Sequence, residues 1–187
     1  MRYFSSDWHL NHKMTLERGP WNDMNEMNSS IIDTMCSSVK KGDVLFFLGD
    51  LGFNNDAVKE FFNQFEKTKA QFVWVLGNHD MKTYKQYIKR NNIEITMMKD
   101  IKSQGMPITL SHYPMVVWNK SHYNAGLLHG HIHRGDSTYN RVESGDVIIS
   151  GKQLNINFEF HNYKPLTEDE VLEKLSHLPD NKDLIRK

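Results

Sequence analysis

Carboxylate, imidazole and amide side chains recur in five short blocks along this chain, and each block directly follows a segment that reads as a strand. In chain order the blocks are Asp7-Trp8-His9, Gly49-Asp50, Gly77-Asn78-His79-Asp80, Ser111-His112 and Gly130-His131-Ile132-His133. Each block alone could be an ordinary polar turn. Oxygen and imidazole donors together suit Mn²⁺, Zn²⁺ or Fe rather than Cu(I), and the blocks offer more donors than one cation can use. The pattern therefore predicts a site for two metal ions.

The apolar runs before the blocks predict the strands that would position them. Continuous apolar residues over 44–48 and 72–76 indicate buried strands, and shorter strands are predicted over 2–6, 107–111 and 125–130. Because α/β folds place their ligands at the carboxyl ends of strands, the five blocks are expected to meet at one edge. Asp7 and His9 are two residues apart, as are His131 and His133, so an extended backbone would turn each pair to one side.

The rest of the chain alternates between helical and strand patterns. Apolar spacing predicts helices over residues 24–39, 56–67 and 81–91, and a fourth that begins at Thr167 with Glu170 in the capping-box position. Further strands are predicted over residues 93–98, 147–149 and 154–160, and a polar and aromatic loop over residues 11–21. This alternation predicts an α/β fold, and the length predicts one domain over residues 1–187.

Composition excludes several classes of protein. Lys plus Arg and Asp plus Glu both number 23, so no extended basic surface for nucleic acid is expected. The single cysteine, Cys36, allows no internal disulfide and suggests a packed thiol in a reducing compartment. The start of the chain lacks a secretory pattern, and no apolar stretch reaches the ~20 residues of a membrane span. We therefore expect a cytoplasmic protein without a membrane partner; the sequence leaves the oligomeric state open.

The five blocks, taken in order, resemble the calcineurin-like metallophosphoesterase superfamily, whose motifs are D-x-H, G-D, G-N-H-D/E, a later H, and G-H-x-H. The flanking residues 18–21, 112–115 and 162–165 are similar to a small bacterial and phage branch of these phosphoesterases. The resemblance implies an αββα sandwich, in which two mixed β-sheets pack face to face and helices flank them. Periodicity alone supports only the alternation of strands and helices.

The resemblance also implies a role for each motif residue. Asp7, His9 and His133 would hold the first cation, Asn78, His112 and His131 the second, and Asp50 would bridge the two. His79 would be the catalytic imidazole beside the leaving group, and Asp80 could orient it by a hydrogen bond. Mn²⁺ is the expected cation, with Zn²⁺, Fe or Ni²⁺ as alternatives. A hydroxide between the two cations would attack phosphorus.

The second motif departs from the pattern of the protein phosphatases in this superfamily. Those enzymes continue G-D-x-x-D-R-G, whereas this chain reads Gly49-Asp50-Leu51-Gly52-Phe53-Asn54-Asn55 and lacks the arginine that grips phosphate there. Arg18 and Arg134 are candidates to replace it, because a guanidinium offers a bidentate fork, although each could be an ordinary surface arginine. His12 is a third candidate substrate contact. Four aromatic residues lie near the motifs and would either stack on a nucleobase or pack in the core: Trp8, Trp21, Tyr113 and Trp118.

The resemblance predicts a metal-dependent phosphoesterase. Because a chain of 187 residues has little room for a separate substrate-capping domain, we expect an open cleft that accepts a small, nucleotide-like phosphodiester. One alternative is a phosphomonoesterase or a nuclease that acts on nucleic-acid ends. The other is a non-enzymatic binding module on the same fold, which would be expected to lose Asn78 or His79; this chain keeps both.

Overall fold

The computed structural model describes residues 1–135 and 151–181, which form two β-sheets with helices outside them. The strands are β1 (Arg2–Ser5), β2 (Val44–Phe47), β3 (Gln71–Val75), β4 (Ile93–Thr96), β5 (Met98–Ser103), β6 (Met106–Ser111), β7 (Gly126–His129), β8 (Gln153–Asn155) and β9 (Leu166–Thr167). The helices are α1 (Lys13–Arg18), α2 (Met24–Ser38), α3 (Asn55–Thr68) and α4 (Glu168–His177).

Both sheets are mixed. The first has the order β4-β3-β2-β1-β9, with β1 to β4 parallel and β9 antiparallel to β1. The second has the order β5-β6-β7-β8, in which only the β5–β6 pair is antiparallel. Two mixed sheets flanked by helices are the αββα sandwich that the sequence resemblance implied, so the predicted fold class is confirmed.

The core has two layers because alternate residues of the first sheet point to opposite faces. On one face, Phe47 and Phe72 pack against the apolar sides of α2 and α3. On the other, Phe46 and Val73 pack against Leu110 and other residues of the second sheet. A strand buried on both faces must be apolar at every position, which explains the continuous apolar runs.

Side-chain caps begin three of the helices where the sequence changes from turn to helix. Asp23 and Asn54 accept hydrogen bonds from the first turns of α2 and α3. Thr167 and Glu170 form the predicted capping box at the start of α4. In the described part of the chain, no helix combines the length and the apolar character that crossing a membrane requires.

The helix predicted over residues 81–91 is wrong. Only two single 3-10 turns occur there, Asp80–Lys82 and Tyr84–Gln86. Tyr84 and Tyr87 pack against the core, but Met81 and Ile88 remain exposed. The apolar contacts therefore do not follow one continuous helical stripe, and a helix of this length is marginal without one.

Other element boundaries also differ from the sequence patterns. Residues 11–21 contain the short helix α1 rather than a loop throughout, and the run over 154–160 ends as a strand at Asn155 and continues as the 3-10 turn Phe158–Phe160. The pattern over 93–98 divides between β4 and β5, which belong to different sheets. The strand predicted over residues 147–149 lies outside the described residues, and the single domain over 1–187 stays a prediction.

His129, at the end of β7, is buried in the protein. Its Nδ1–H donates to the carbonyl oxygen of Gly130 at 2.9 Å. Burial lowers the pKa of His129 to about 4. In the unfolded chain the pKa of His129 is ~6.5, so below that pH the unfolded chain binds a proton that the folded chain does not bind. Protonation therefore favours the unfolded chain, and the free energy of unfolding falls as the pH decreases.

We therefore expect the free energy of unfolding of metal-free protein to fall between pH 6.5 and pH 5, with His129 contributing up to ~1.4 kcal/mol per pH unit. Urea unfolding of wild type and His129→Gln, with chelator present, measures this contribution as the difference between the two pH dependences. Identical pH dependences would show that His129 does not cause the loss.

Candidate metal centre

The five polar blocks lie together at the carboxyl ends of β1, β2, β3, β6 and β7. They bring three overlapping groups of donors together. Asp7, His9 and His133 form the first, and Asp50, His112 and His131 form the second; His9, Asp50 and His79 form a third between them. Within each group the donor atoms lie no more than 4.8 Å apart. The centre therefore lies where the two sheets meet, and both sheets contribute to it.

The two-residue spacing predicts an extended backbone at these donors, but the backbone there is not extended. Asp7, His9, Asp50 and His131 have positive φ angles of 61°, 44°, 61° and 68°. Left-handed backbone turns the chain sharply within one residue. A sharp turn after each strand, rather than the alternation of an extended segment, thus directs these side chains to a common point.

Two glycines let the loops approach closely enough for the donors to meet. A β-carbon on Gly77 would lie 2.2 Å from the Asp50 Oδ1 atom, and one on Gly130 would lie 2.2 Å from the Asp7 Oδ2 atom. Either contact is far inside van der Waals distance. The glycine before Asn78 and the glycine before His131 are therefore required by the donors on the opposite loops.

The first group of donors is compact. The His9 Nε2 and His133 Nε2 atoms are 3.0 Å apart, and the Asp7 Oδ1 atom is 3.9 Å from the first and 3.7 Å from the second. Asp7 is fully buried, and burial raises the pKa of its carboxyl to about 6. A cation between these atoms would favour the ionised form that burial alone disfavours.

The second group is equally compact and joins the first. The His112 Nε2 atom lies 3.3 Å from Asp50 Oδ2, 3.2 Å from His131 Nδ1 and 3.2 Å from Asn78 Oδ1. The same Asp50 oxygen is 3.6 Å from His9 Nε2. Asp50 therefore lies between the two groups.

The donors fit divalent cations. Donor atoms ~2.1 Å from one cation are ~3.0–3.4 Å apart for octahedral or tetrahedral geometry. The nitrogen–nitrogen separations of 3.0 and 3.2 Å match this spacing, and the carboxylate oxygens lie slightly further away. Oxygen and imidazole donors also suit borderline divalent metals. The clusters and the spacing together indicate a divalent-metal site.

Without a cation, a proton balances the negative charge at Asp50. Burial lowers the pKa of His112, but its hydrogen bond to Asp50 and the carboxylate charges of Asp7 and Asp50 outweigh burial and raise that pKa to about 9. Burial likewise raises the pKa of Asp50, but the hydrogen bond and charge of His112 lower it to about 2. Cation binding must therefore displace a proton from His112.

Hydrogen bonds outside the donor groups fix the histidine rings. The His112 Nδ1–H donates to the Leu48 carbonyl oxygen at 2.8 Å, and the His133 Nδ1–H donates to Glu159 Oε1 at 3.0 Å. Each bond holds a proton on Nδ1 and directs Nε2 at the other donors, so Nε2 of the neutral ring can bind a cation. Glu159 is not among the residues predicted from the sequence. The one feature that could have indicated its role is the position of a carboxylate inside the apolar run over residues 154–160.

We expect Glu159→Gln to weaken cation binding at the group formed by Asp7, His9 and His133 by about 10–100-fold, because the amide is a weaker acceptor for the His133 Nδ1–H. Calorimetric titration with Mn²⁺ separates this loss from binding at the second group, which should stay unchanged. Glu94→Gln, an exposed glutamate paired with Lys99, is the control. Equal weakening at both groups, or none, would contradict a role confined to His133.

Asp80 does not make the hydrogen bond to His79 that was expected of it. Its buried carboxylate accepts four hydrogen bonds at 2.8–3.0 Å, from the backbone N–H groups of Asp50, Leu51 and Gly77 and from Trp74 Nε1. These donors occupy both of its oxygens. Asp80 therefore links the loop after β2 to the loop after β3. The His79 ring contacts Phe53 and His9 instead.

The three candidate substrate residues lie near the centre. The His12 ring lies 5.7 Å from the His9 ring, between centroids. Arg18 pairs with Glu159 Oε1 at 3.3 Å, and Arg134 donates to the Glu159 carbonyl oxygen at 3.3 Å while lying over the Phe160 ring. Both guanidinium groups are thus held by Glu159, and their predicted contact with phosphate stays a prediction.

Most of the candidate stacking residues pack inside the protein instead. Trp8 and Trp118 are buried, and Trp21 packs against Phe158 and Tyr163. Tyr113 alone of the four is exposed beside the centre, with its ring 4.8 Å from that of His131.

Similarity to known proteins extends along nearly the whole chain. A sequence profile of the calcineurin-like phosphoesterase family matches residues 3–185. An uncharacterized protein of Methanocaldococcus jannaschii is 26% identical over 173 residues, which cover 91% of this chain and 88% of the relative. The crystal structure of a protein of unknown function from Aquifex aeolicus has a TM-score of 0.68 and 25% sequence identity, and the match covers 93% of this chain and 98% of that one. The matched range therefore spans both sheets and the segments that carry the polar blocks.

Proposed function

The chain belongs to the calcineurin-like phosphoesterase family, and from that premise we propose that it is a metal-dependent phosphodiesterase acting on a small, nucleotide-like diester. The family and the clustered donors support metal-dependent hydrolysis of phosphoesters. The observation that carries the proposal is the pair of donor groups joined through Asp50, with His79 beside them. Asn78, His79 and His131 are exposed, so a substrate can reach the centre from solvent.

The proposed ligand sets follow the two donor groups. Asp7, His9 and His133 would hold one cation; Asn78, His112 and His131 would hold the other, and Asp50 would contribute to both. When bound, divalent cations, of which Mn²⁺ is our first choice, would lower the pKa of a water molecule and neutralise charge on the phosphoryl oxygens. Asn78 is a neutral ligand, so it leaves the centre more positive for an anionic substrate than a third carboxylate would.

His79 is proposed as the general acid. Its imidazole lies beside the donors and is exposed to the substrate side. The proton on its ring would pass to the leaving oxygen as the phosphorus–oxygen bond breaks, which prevents a costly alkoxide from forming. This step needs a defined orientation of the ring toward the departing group.

The guanidinium groups of Arg18 and Arg134 are both bonded to other groups of the protein, which favours a diester substrate over a monoester. A phosphodiester carries one negative charge, whereas a monoester dianion carries two and needs more positive charge around it. Arg18 pairs with the Glu159 carboxylate, whereas the Arg134 guanidinium donates to the Glu159 carbonyl oxygen. The charge of Arg18 is thus balanced within the protein, which leaves less positive charge to match the second negative charge of a monoester.

Turnover of two chromogenic substrates tests the proposal. Protein loaded with Mn²⁺ should hydrolyse bis-p-nitrophenyl phosphate faster than p-nitrophenyl phosphate, and chelation should abolish both activities. A preference for p-nitrophenyl phosphate would indicate a phosphomonoesterase, and hydrolysis of neither would indicate a binding module. Cyclic nucleotides, 2′,3′-cyclic ends, dinucleotides and short oligonucleotides would then narrow the substrate.

The proposal includes a cytoplasmic enzyme with a small substrate rather than a long nucleic acid. The balanced totals of acidic and basic residues support this, because tight binding of a long polyanion usually requires an excess of basic side chains.

A further inference from the structure

An exposed phenylalanine, Phe53, lies between two imidazoles at the edge of the centre. Its ring is 42% exposed, although large apolar side chains usually gain from burial. It stacks on His12 with centroids 3.9 Å apart and planes inclined by 13°, and it lies 4.4 Å from the His79 ring at 38°. The three rings thus form a row of aromatic contacts, His12–Phe53–His79.

The side chain of His79 is held by ring contacts. Its backbone N–H donates to Asp50 Oδ1 at 2.9 Å, which fixes the main chain. Its imidazole contacts the rings of Phe53 and His9, with centroids 4.4 and 5.3 Å away, while Asp80 is occupied by other donors. Rotation of the imidazole about its side-chain torsions is therefore limited chiefly by aromatic packing.

The backbone under Phe53 is anchored, so its ring has a fixed position. The Phe53 N–H donates to the Leu10 carbonyl oxygen at 2.9 Å, and the Leu51 N–H donates to Asp80 Oδ1 at 2.9 Å. Gly52 is packed between Leu10 and Val58, where a β-carbon would lie 2.9 Å from the Val58 side chain. A ring on such an anchored loop can restrain the imidazole that packs against it.

We propose that Phe53 is a positioning residue for the His79 imidazole, with the His12 ring packed behind Phe53 as support. The proposal rests on the proposed function, in which His79 protonates the leaving oxygen. In that step the N–H bond of the imidazolium breaks, an O–H bond forms on the departing oxygen and the phosphorus–oxygen electron pair leaves with that oxygen. Phe53 takes no part in the bond changes; it fixes the direction in which the proton is delivered.

Loss of positioning should depend on the leaving group. A basic leaving oxygen needs a proton as it departs, whereas p-nitrophenolate leaves readily without one. A variant that only loosens the fold or the metal site would slow all substrates alike. The dependence on leaving group therefore separates a positioning role from a structural one.

The experiment compares Phe53→Leu with wild type on bis-p-nitrophenyl phosphate and on diphenyl phosphate, whose leaving group is more basic. We expect kcat to fall about 10-fold or more for diphenyl phosphate and less than about threefold for bis-p-nitrophenyl phosphate, with KM and bound metal unchanged. Phe53→Tyr, which retains the ring, should keep wild-type rates. Ile88→Ala removes another exposed apolar side chain and is the control.

A double variant completes the test. If Phe53 acts through His79, Phe53→Leu should have no further effect on kcat in a His79→Ala background. Additive losses, or equal losses on both diesters, would overturn the positioning role while leaving the phosphodiesterase proposal intact. Failure of wild type to hydrolyse either diester would instead overturn the proposed function and, with it, the positioning role.

Discussion

Asp50→Asn is expected to lose both bound cations and nearly all phosphoesterase activity. Asp50 lies between the two donor groups, 3.3 Å from His112 Nε2 and 3.6 Å from His9 Nε2. An amide removes its charge and replaces one oxygen by a donor. Removing one partner of a buried charge pair costs ~3–5 kcal/mol, so cation binding should weaken by ~10²-fold or more.

Metal content after dialysis and calorimetric titration with Mn²⁺ measure this loss directly. Asp56→Asn, which changes an exposed acid in the first turn of α3, is the matched control and should bind two cations with wild-type affinity. If Asp50→Asn kept both cations and turned over normally, Asp50 would not be a ligand shared by the two groups.

His79→Ala is expected to slow turnover of diphenyl phosphate by ~10²–10⁴-fold while leaving metal content near normal, because a general acid typically contributes that much when the leaving oxygen is basic. A role as general acid must be distinguished from a role as metal ligand, because His79 lies close enough to Asp50 and His9 to form a third potential donor group. Its imidazole is exposed, however, and packs against Phe53. We therefore place it on the substrate side of the centre.

Metal analysis and single-turnover kinetics on the same preparations distinguish the two roles of His79. Asp50→Asn serves as the comparison, since it should lose metal and activity together. Equal metal loss in His79→Ala and Asp50→Asn would make His79 a ligand and remove the general acid from the mechanism.

The parts of the fold that sequence predicts are those that local pattern determines. The strands β2 and β3 are buried on both faces, so their residues are apolar without interruption and stand out in the sequence. The capping box at Thr167 and the apolar spacing of α2 and α3 are likewise local. Each donor block follows a predicted strand, which is why convergence at one edge could be expected from the sequence.

The features that could not be predicted from the sequence depend on contacts between residues that are distant along the chain. Glu159 is 26 residues from His133, and Phe53 contacts an imidazole that follows a different strand. The four hydrogen bonds to Asp80 come partly from backbone groups, which carry no sequence signature. The edge strand β5 has alternating exposure and no continuous apolar run.

The left-handed backbone of Asp7, His9, Asp50 and His131 implies a conflict between what keeps this protein folded and what keeps it active. Each such residue costs roughly 1 kcal/mol of conformational energy, and buried carboxylates add repulsion until a cation arrives. Glycine would relieve the backbone strain at each position but would remove a donor atom for the cations. At Asp7 and Asp50 it would also remove a carboxylate that accepts a backbone N–H group. Efforts to make the protein more heat-resistant should therefore leave these four positions untouched.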